Sequence, residues 1–176
     1  TGFGTIDGGA GDDLISSNGG SLRQIGYLVD GGLGQDTITG GFNDTLHGGA
    51  DNDFIHIVYG GSGFGDLGDD TLVGSYLDDT LDGGGGDDLI TAYYGRNVIN
   101  GRDGSDTVQY GFARVDQAVS VDLAAGVGHI DRSGHYPSND LLTSIENVIG
   151  GYGADTLAGS DAANHLWGMA GDDSLS

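Results

Sequence analysis

Large aliphatic residues return along this chain at intervals of nine. Leu72, Leu81, Ile90, Ile99 and Val108 are evenly spaced, and so are Leu157, Leu166 and Leu175. Ile15, Ile38, Leu46 and Ile55 continue the series in looser register. Between them stand mainly glycine, aspartate and small polar residues. A period of nine suits neither an amphipathic helix nor an alternating strand, and at this length it marks a solenoid. The consensus is G-G-x-G-x-D-x-U-x, with U the aliphatic residue, and residues 8–16, 31–39 and 83–91 follow it most closely. Six residues of each repeat read as a turn and x-U-x as a very short strand. Two repeats complete one coil, so residues eighteen apart stack at the sheet spacing of about 4.8 Å. The aliphatic side chains then point inward as a thin ladder between two sheets. The expected fold is all-β, a right-handed parallel β-roll (a β-helix-like solenoid), roughly 40 Å long from about eight or nine coils.

Repeats begin near Gly8, Gly31, Gly40 and Gly48, then at Gly65, Gly74, Gly83, Ala92 and Gly101, then at Gly150, Gly159 and Gly168. Residues 17–30 are degenerate. The expected organisation is a roll over 1–109, an excursion over 110–149 on the same solenoid, and roll again over 150–176. Within the excursion Val119, Val121 and Leu123 alternate with polar residues as a half-buried strand does. Residues 126–139, which hold the only proline, Pro137, read as loop or hairpin. Leu142, Ile145 and Val148 lead back into phase. So short a segment buries too little surface to fold as a separate unit. The pattern runs to both ends and no signal-peptide pattern is seen, so the sequence reads as a piece of a larger protein.

Composition sharpens the picture. Of the 27 acidic residues, 26 are Asp and one is Glu (Glu146), and all five basic residues are Arg. A solvating acidic surface mixes Asp and Glu; Asp alone suits tight turns and hard-cation binding. The net charge of −22 makes nucleic acid and anionic membranes poor partners. No run is long and apolar enough to span a bilayer, and there is no cysteine for a disulfide or thiolate site. Self-repulsion and a thin core imply that the chain without metal is disordered and that metal supplies the missing stability.

Aspartate at repeat position six is the natural side-chain ligand for calcium, which takes roughly six to eight oxygens from carboxylates and carbonyls. Stacking selects the pairs Asp70 with Asp88 and Asp88 with Asp106 on one side, and Asp79 with Asn97 on the other. Asp36 pairs with Asp53 after a one-residue slip, and Asp155 pairs with Asp173. Asn97 and Asn164 keep an oxygen and lose a charge, so their sites are expected to be weaker.

These residues resemble the RTX family, the Gly/Asp-rich repeats of bacterial type I-secreted proteins, over about two thirds of the chain. The segment 144–150 also looks like those that interrupt such arrays. The resemblance implies several calcium ions held between turns. One turn gives carbonyls from positions two and four, the next from positions one and three, and both give the Asp. Carried over, one site takes Asp66, Gly68 and Asp70 with Gly83, Gly85 and Asp88. The next takes Gly84, Gly86 and Asp88 with Gly101, Asp103 and Asp106. The same rule gives Gly32, Gly34 and Asp36 with Gly48, Ala50 and Asp53, and Gly151, Gly153 and Asp155 with Gly168, Ala170 and Asp173. Asp13 holds position six of the first repeat. The sequence departs from the pattern at Asp51, Leu77 and residues 60–64. The resemblance further implies export in an unfolded state and folding in external calcium, at an extracellular or cell-surface location. In that setting the roll is a folding nucleus, spacer or attachment module. The alternatives are an accessory module of a secreted enzyme (metalloprotease, lipase or alginate epimerase) and a self-assembling adhesin or surface-layer segment.

Other motifs add little. Residues 63–68 match G-x-G-x-x-G, but the loop is acidic and no helix pattern follows. His47 and His56, nine apart, fall on opposite sheets. No Ser/His/Asp set stands out, and no residue is assigned to catalysis or to an organic cofactor. Tyr76, Tyr94 and Tyr152 share position three of their repeats. They read as stacking that covers a turn, and they leave a polysaccharide or copies of the chain itself open as partners.

Overall fold

The computed structural model describes residues 4–17, 26–111, 113–114, 116–131 and 138–176. Part of the degenerate stretch 17–30, together with His135 and Pro137, lies outside them. The strands are β1 (Gly4–Ala10), β2 (Leu14–Ser16), β3 (Tyr27–Leu33), β4 (Thr37–Phe42), β5 (Thr45–Ala50), β6 (Phe54–Tyr59), β7 (Ser62–Leu67), β8 (Thr71–Val73), β9 (Thr80–Gly85) and β10 (Leu89–Thr91). They continue as β11 (Val98–Asp103), β12 (Thr107–Gln109), β13 (Val119–Asp122), β14 (Val127–Ile130), β15 (Ser138–Thr143), β16 (Asn147–Ile149), β17 (Thr156–Ala158), β18 (His165–Trp167) and β19 (Ser174–Leu175). Among the described residues no helix is long and apolar enough to cross a membrane.

The chain alternates between two sheets, which is the parallel β-roll. One sheet runs β1-β3-β5-β7-β9-β11-β15-β14-β13-β17-β19 and the other β18-β16-β12-β10-β8-β6-β4-β2. In the second sheet Ile38, Ile55, Leu72, Ile90 and Val108 are successive partners, followed by Val148 and Leu166. In the first, Val29, Leu46, Gly63, Leu81, Ile99 and Leu142 stack in the same way. Except at Gly63, each of these aliphatic residues lies over a counterpart one coil away, and together they form the ladder of the core. Nearly all are fully buried. Leu166 is only partly buried, and Leu175, on the edge strand β19, is 49 % exposed.

Most first-sheet strands, though not β17 and β19, exceed the three residues expected from x-U-x. β9 carries on from Thr80–Asp82 through Gly83, Gly84 and Gly85, which remain in register with β7 and β11. Glycine makes this continuation possible. A Cβ on Gly84 would collide with the carbonyl of Asp66 in the coil before.

The segment 110–149 contributes strands to the first sheet. β13 and β14 form an antiparallel pair, β14 pairs antiparallel with β15, and β15 and β13 join β11 and β17 in parallel. Val119 and Val121 face inward, as their alternation predicts. The space is filled by Tyr110, wholly buried, whose hydroxyl donates to Asp140 Oδ2 at 2.9 Å.

Candidate metal centre

The roll has two unlike edges. Turns passing from the first sheet to the second form one edge, and turns passing back form the other. On the first edge, Asp13, Asp36, Asp53, Asp70, Asp88 and Asp106 stand one above another. The amide of each residue from Asp13 to Asp88 donates to Oδ1 of the next Asp in the row, at 2.7–2.9 Å. This settles one oxygen of each carboxylate from Asp36 onward. The second oxygen, Oδ2, of all six is buried and has no hydrogen-bond partner. Such an atom costs about 1–3 kcal/mol, more when charged, and six in a row on one edge are a repeated feature rather than an accident.

The backbone around these oxygens is equally regular. Positions two and four of each turn adopt left-handed φ: Gly9 and Gly11, Gly32 and Gly34, Gly49 and Asp51, Asp66 and Gly68, Gly84 and Gly86, Arg102 and Gly104. Glycine enters this region without strain, and Asp is among the few other residues that tolerate it. Asp51 therefore fills its place in the turn although it departs from the consensus. Position one must be glycine for a different reason. A Cβ on Gly65 would strike both Asp70 Oδ2 and the Gly83 carbonyl, and one on Gly48 would strike Asp53 Oδ2 and approach the Gly65 carbonyl. A carboxylate oxygen and a carbonyl oxygen from the following coil thus converge beside each of these glycines.

Burial sets the electrostatics. It drives the carboxyls of Asp53 and Asp70 from 3.8 up to about 6 and that of Asp88 up to about 7. Asp106 is raised by the same cause, with Glu146 adding to it. Anions stacked at this spacing without a cation favour the protonated form. An oxygen-only, negatively charged row suits a hard divalent cation such as calcium. Among the described residues no three His, Asp or Glu side chains group so that they could hold a metal ion by themselves. Each turn offers one carboxylate, and backbone carbonyls would complete a shell.

The second edge is chemically different. Asp79 Oδ2 accepts the Ser75 amide at 2.6 Å and the Ser75 hydroxyl at 2.9 Å, while Oδ1 accepts the Gly61 amide at 3.0 Å. Asn97 Oδ1 accepts the Asp79 amide, and its side-chain amide donates to Asp140. Asp155 is held by the amides of Val119 and Gly151. These carboxylates cap the chain's own turns. The predicted set therefore divides. Gly32, Gly34, Asp36, Gly48, Ala50, Asp53 and the residues from Asp66 to Asp106 named with them share the first edge with Asp13. Asp79, Asn97, Gly151, Gly153, Asp155, Gly168, Ala170 and Asp173 lie on the second. Of the second-edge turns, that of Asp173 has left-handed φ at Met169 and Gly171, as first-edge turns do.

A further ladder escaped the sequence reading. Position-five side chains reach the other way along the roll. The Asp87 amide donates to Asp69 Oδ1, the Ser105 amide to Asp87 Oδ1 and the Gln35 amide to Asp12 Oδ1. The recurring Asp-Asp pair was the available signal. His47 is also engaged, with Nδ1 2.8 Å from Asp66 Oδ2 and its ring stacked on Phe64. Tyr76 stacks on Tyr94 with centroids 5.6 Å apart.

The model of the RTX calcium-binding nonapeptide repeat matches residues 1–21, 30–56, 64–93, 73–108 and 149–176, well over half of the sequence. The chain belongs to this family. Calcium is the cation that the RTX repeat family binds, and the interruption in the matches between 108 and 149 contains β13–β15. No curated protein matches the chain.

Proposed function

We propose that this RTX module binds a row of calcium ions along its first edge and folds when it does so, as the structural part of a larger secreted or cell-surface protein. The observation that carries the reading is the row of six buried Oδ2 atoms without partners. A cation bound beside each would turn a charge that opposes folding into one that favours it. Asp70 and Asp88, with the carbonyls of Asp66, Gly68, Gly83 and Gly85, would hold one ion; Asp88 and Asp106, with those of Gly84, Gly86, Gly101 and Asp103, the next. Asp36 and Asp53 would act likewise with Gly32, Gly34, Gly48 and Ala50. The second edge, whose carboxylates already accept hydrogen bonds from the chain, would stay free of metal at Asp79, Asn97 and Asp155. Low calcium would keep the chain extended and exportable, and external calcium would fold it.

Far-UV circular dichroism during a calcium titration, with magnesium as control, tests this. A coil-to-β transition in calcium and not in magnesium is expected. A chain already β-rich in chelator and unmoved by calcium would overturn the folding role.

A further inference from the structure

The sequence pattern ends the row at Asp106, because the next nonapeptide is interrupted. The fold does not end it there. After the excursion, β15 lands on β11 with Ile99 opposite Leu142, and β16 lands on β12 with Val108 opposite Val148. The turn between β15 and β16 therefore sits on the first edge directly after the turn of Asp106. It is three residues shorter than a repeat turn, since Ile99 and Val108 are nine apart while Leu142 and Val148 are six apart.

Two features of the regular sites recur in this shortened turn. The Asp106 amide donates to Glu146 Oε2 at 2.9 Å, the contact that the Asp88 amide makes with Asp106 Oδ1. A Cβ on Gly101 would collide with Asp106 Oδ2 and with the Ser144 carbonyl, just as one on Gly65 would meet Asp70 Oδ2 and the Gly83 carbonyl. Arg102 and Gly104 have the left-handed φ of positions two and four, and Ser144 is left-handed too. Asp106 is 0 % exposed and its Oδ2, aimed at the same place as the Ser144 carbonyl beside Gly101, has no partner. The one Glu of a chain with 26 Asp stands at this point. Its side chain, one methylene longer than that of Asp, makes the contact with the preceding coil's amide here.

We infer that Ser144 and Glu146 complete a further divalent-cation site with Arg102, Gly104 and Asp106, one that no nonapeptide following Asp106 supplies. It rests on the calcium reading of the first edge. The donors would be the Asp106 and Glu146 carboxylates with the carbonyls of Arg102, Gly104 and Ser144. The ion joins residues forty apart, so it fastens the returning strands β15 and β16 to the repeat and couples the excursion to calcium.

The test counts calcium ions per full-length chain by equilibrium dialysis for the wild type, Glu146→Gln and Asp70→Asn, with hydrogen exchange of β15 and β16 at saturating calcium. Glu146→Gln should bind one ion fewer than the wild type and exchange faster in those two strands. An unchanged count and affinity in Glu146→Gln, beside a loss in Asp70→Asn, would sink this site and leave the rest of the row standing. A wild type that binds no calcium would sink the row itself. Should Glu146→Gln fail to fold, the anomalous difference map of calcium-loaded wild-type crystals decides. A peak between Asp106 and Ser144 is expected, and peaks beside Asp36 to Asp88 with none there would refute the inference.

Discussion

Asp70→Asn separates the roles of charge and shape in the row. The Asp70 side chain accepts the Asp53 amide through Oδ1 at 2.7 Å, and its Oδ2 lies unpartnered beside Gly65 and the Gly83 carbonyl. Asparagine keeps the first acceptor and puts an uncharged NH2 where Oδ2 was. In chelator the variant removes a buried anion without a partner, which stabilises the metal-free roll by about 1–3 kcal/mol. In calcium the sign reverses. In the proposed row Asp70 would serve the ions on both sides of its turn, and each ion at about a hundredfold over its dissociation constant adds roughly 2.7 kcal/mol, so up to about 5 kcal/mol would be lost. Folding of the metal-free chain is driven with trimethylamine oxide, which favours burial, and the calcium-loaded chain is unfolded with urea, both followed by circular dichroism. The variant should need less osmolyte than the wild type in chelator and less urea in calcium. Destabilisation of equal size in both conditions, or wild-type behaviour in calcium, would refute the reasoning.

Two further predictions use the same assays. Burial raises the folded-state carboxyls of Asp53 and Asp70 to about 6 and of Asp88 to about 7, above their unfolded value. Their contribution in chelator is therefore fully present below about pH 4 and is lost as pH rises through 6 to 7. The osmolyte midpoint of the metal-free chain should fall on acidification from pH 8 to pH 5, and a rise would contradict the assignment. Ser75→Ala removes a donor to Asp79 and an acceptor for the Gly60 amide on the second edge. It should cost about 1–3 kcal/mol with and without calcium and leave the ion count unchanged. A lost ion would show that this edge binds metal too.

Much of the architecture was legible because it is periodic. The aliphatic ladder and the aspartate row follow from spacing alone. The difference between the two edges did not, since Asp70 and Asp79 occupy the same repeat position. What separates them is position two: left-handed Asp66 leaves the Asp70 Oδ2 without a partner, whereas Ser75 turns its amide onto Asp79. Glu146 was hidden by a turn three residues short, which puts it out of phase. The excursion was legible as strand in Val119 and Val121, but its place in the first sheet depends on long-range pairing and on Tyr110 meeting Asp140.

The two aspartate ladders point in opposite directions. The position-six side chain bonds the coil before it, and the position-five side chain bonds the coil after it. None of these bonds lies within one coil, so a coil gains them only by docking on another. In polymer terms the roll is a one-dimensional lattice whose energy resides in nearest-neighbour terms. Its first docking event is the costly one, and each later coil adds onto a finished template. A faulty coil disturbs the neighbours on either side and leaves distant turns intact.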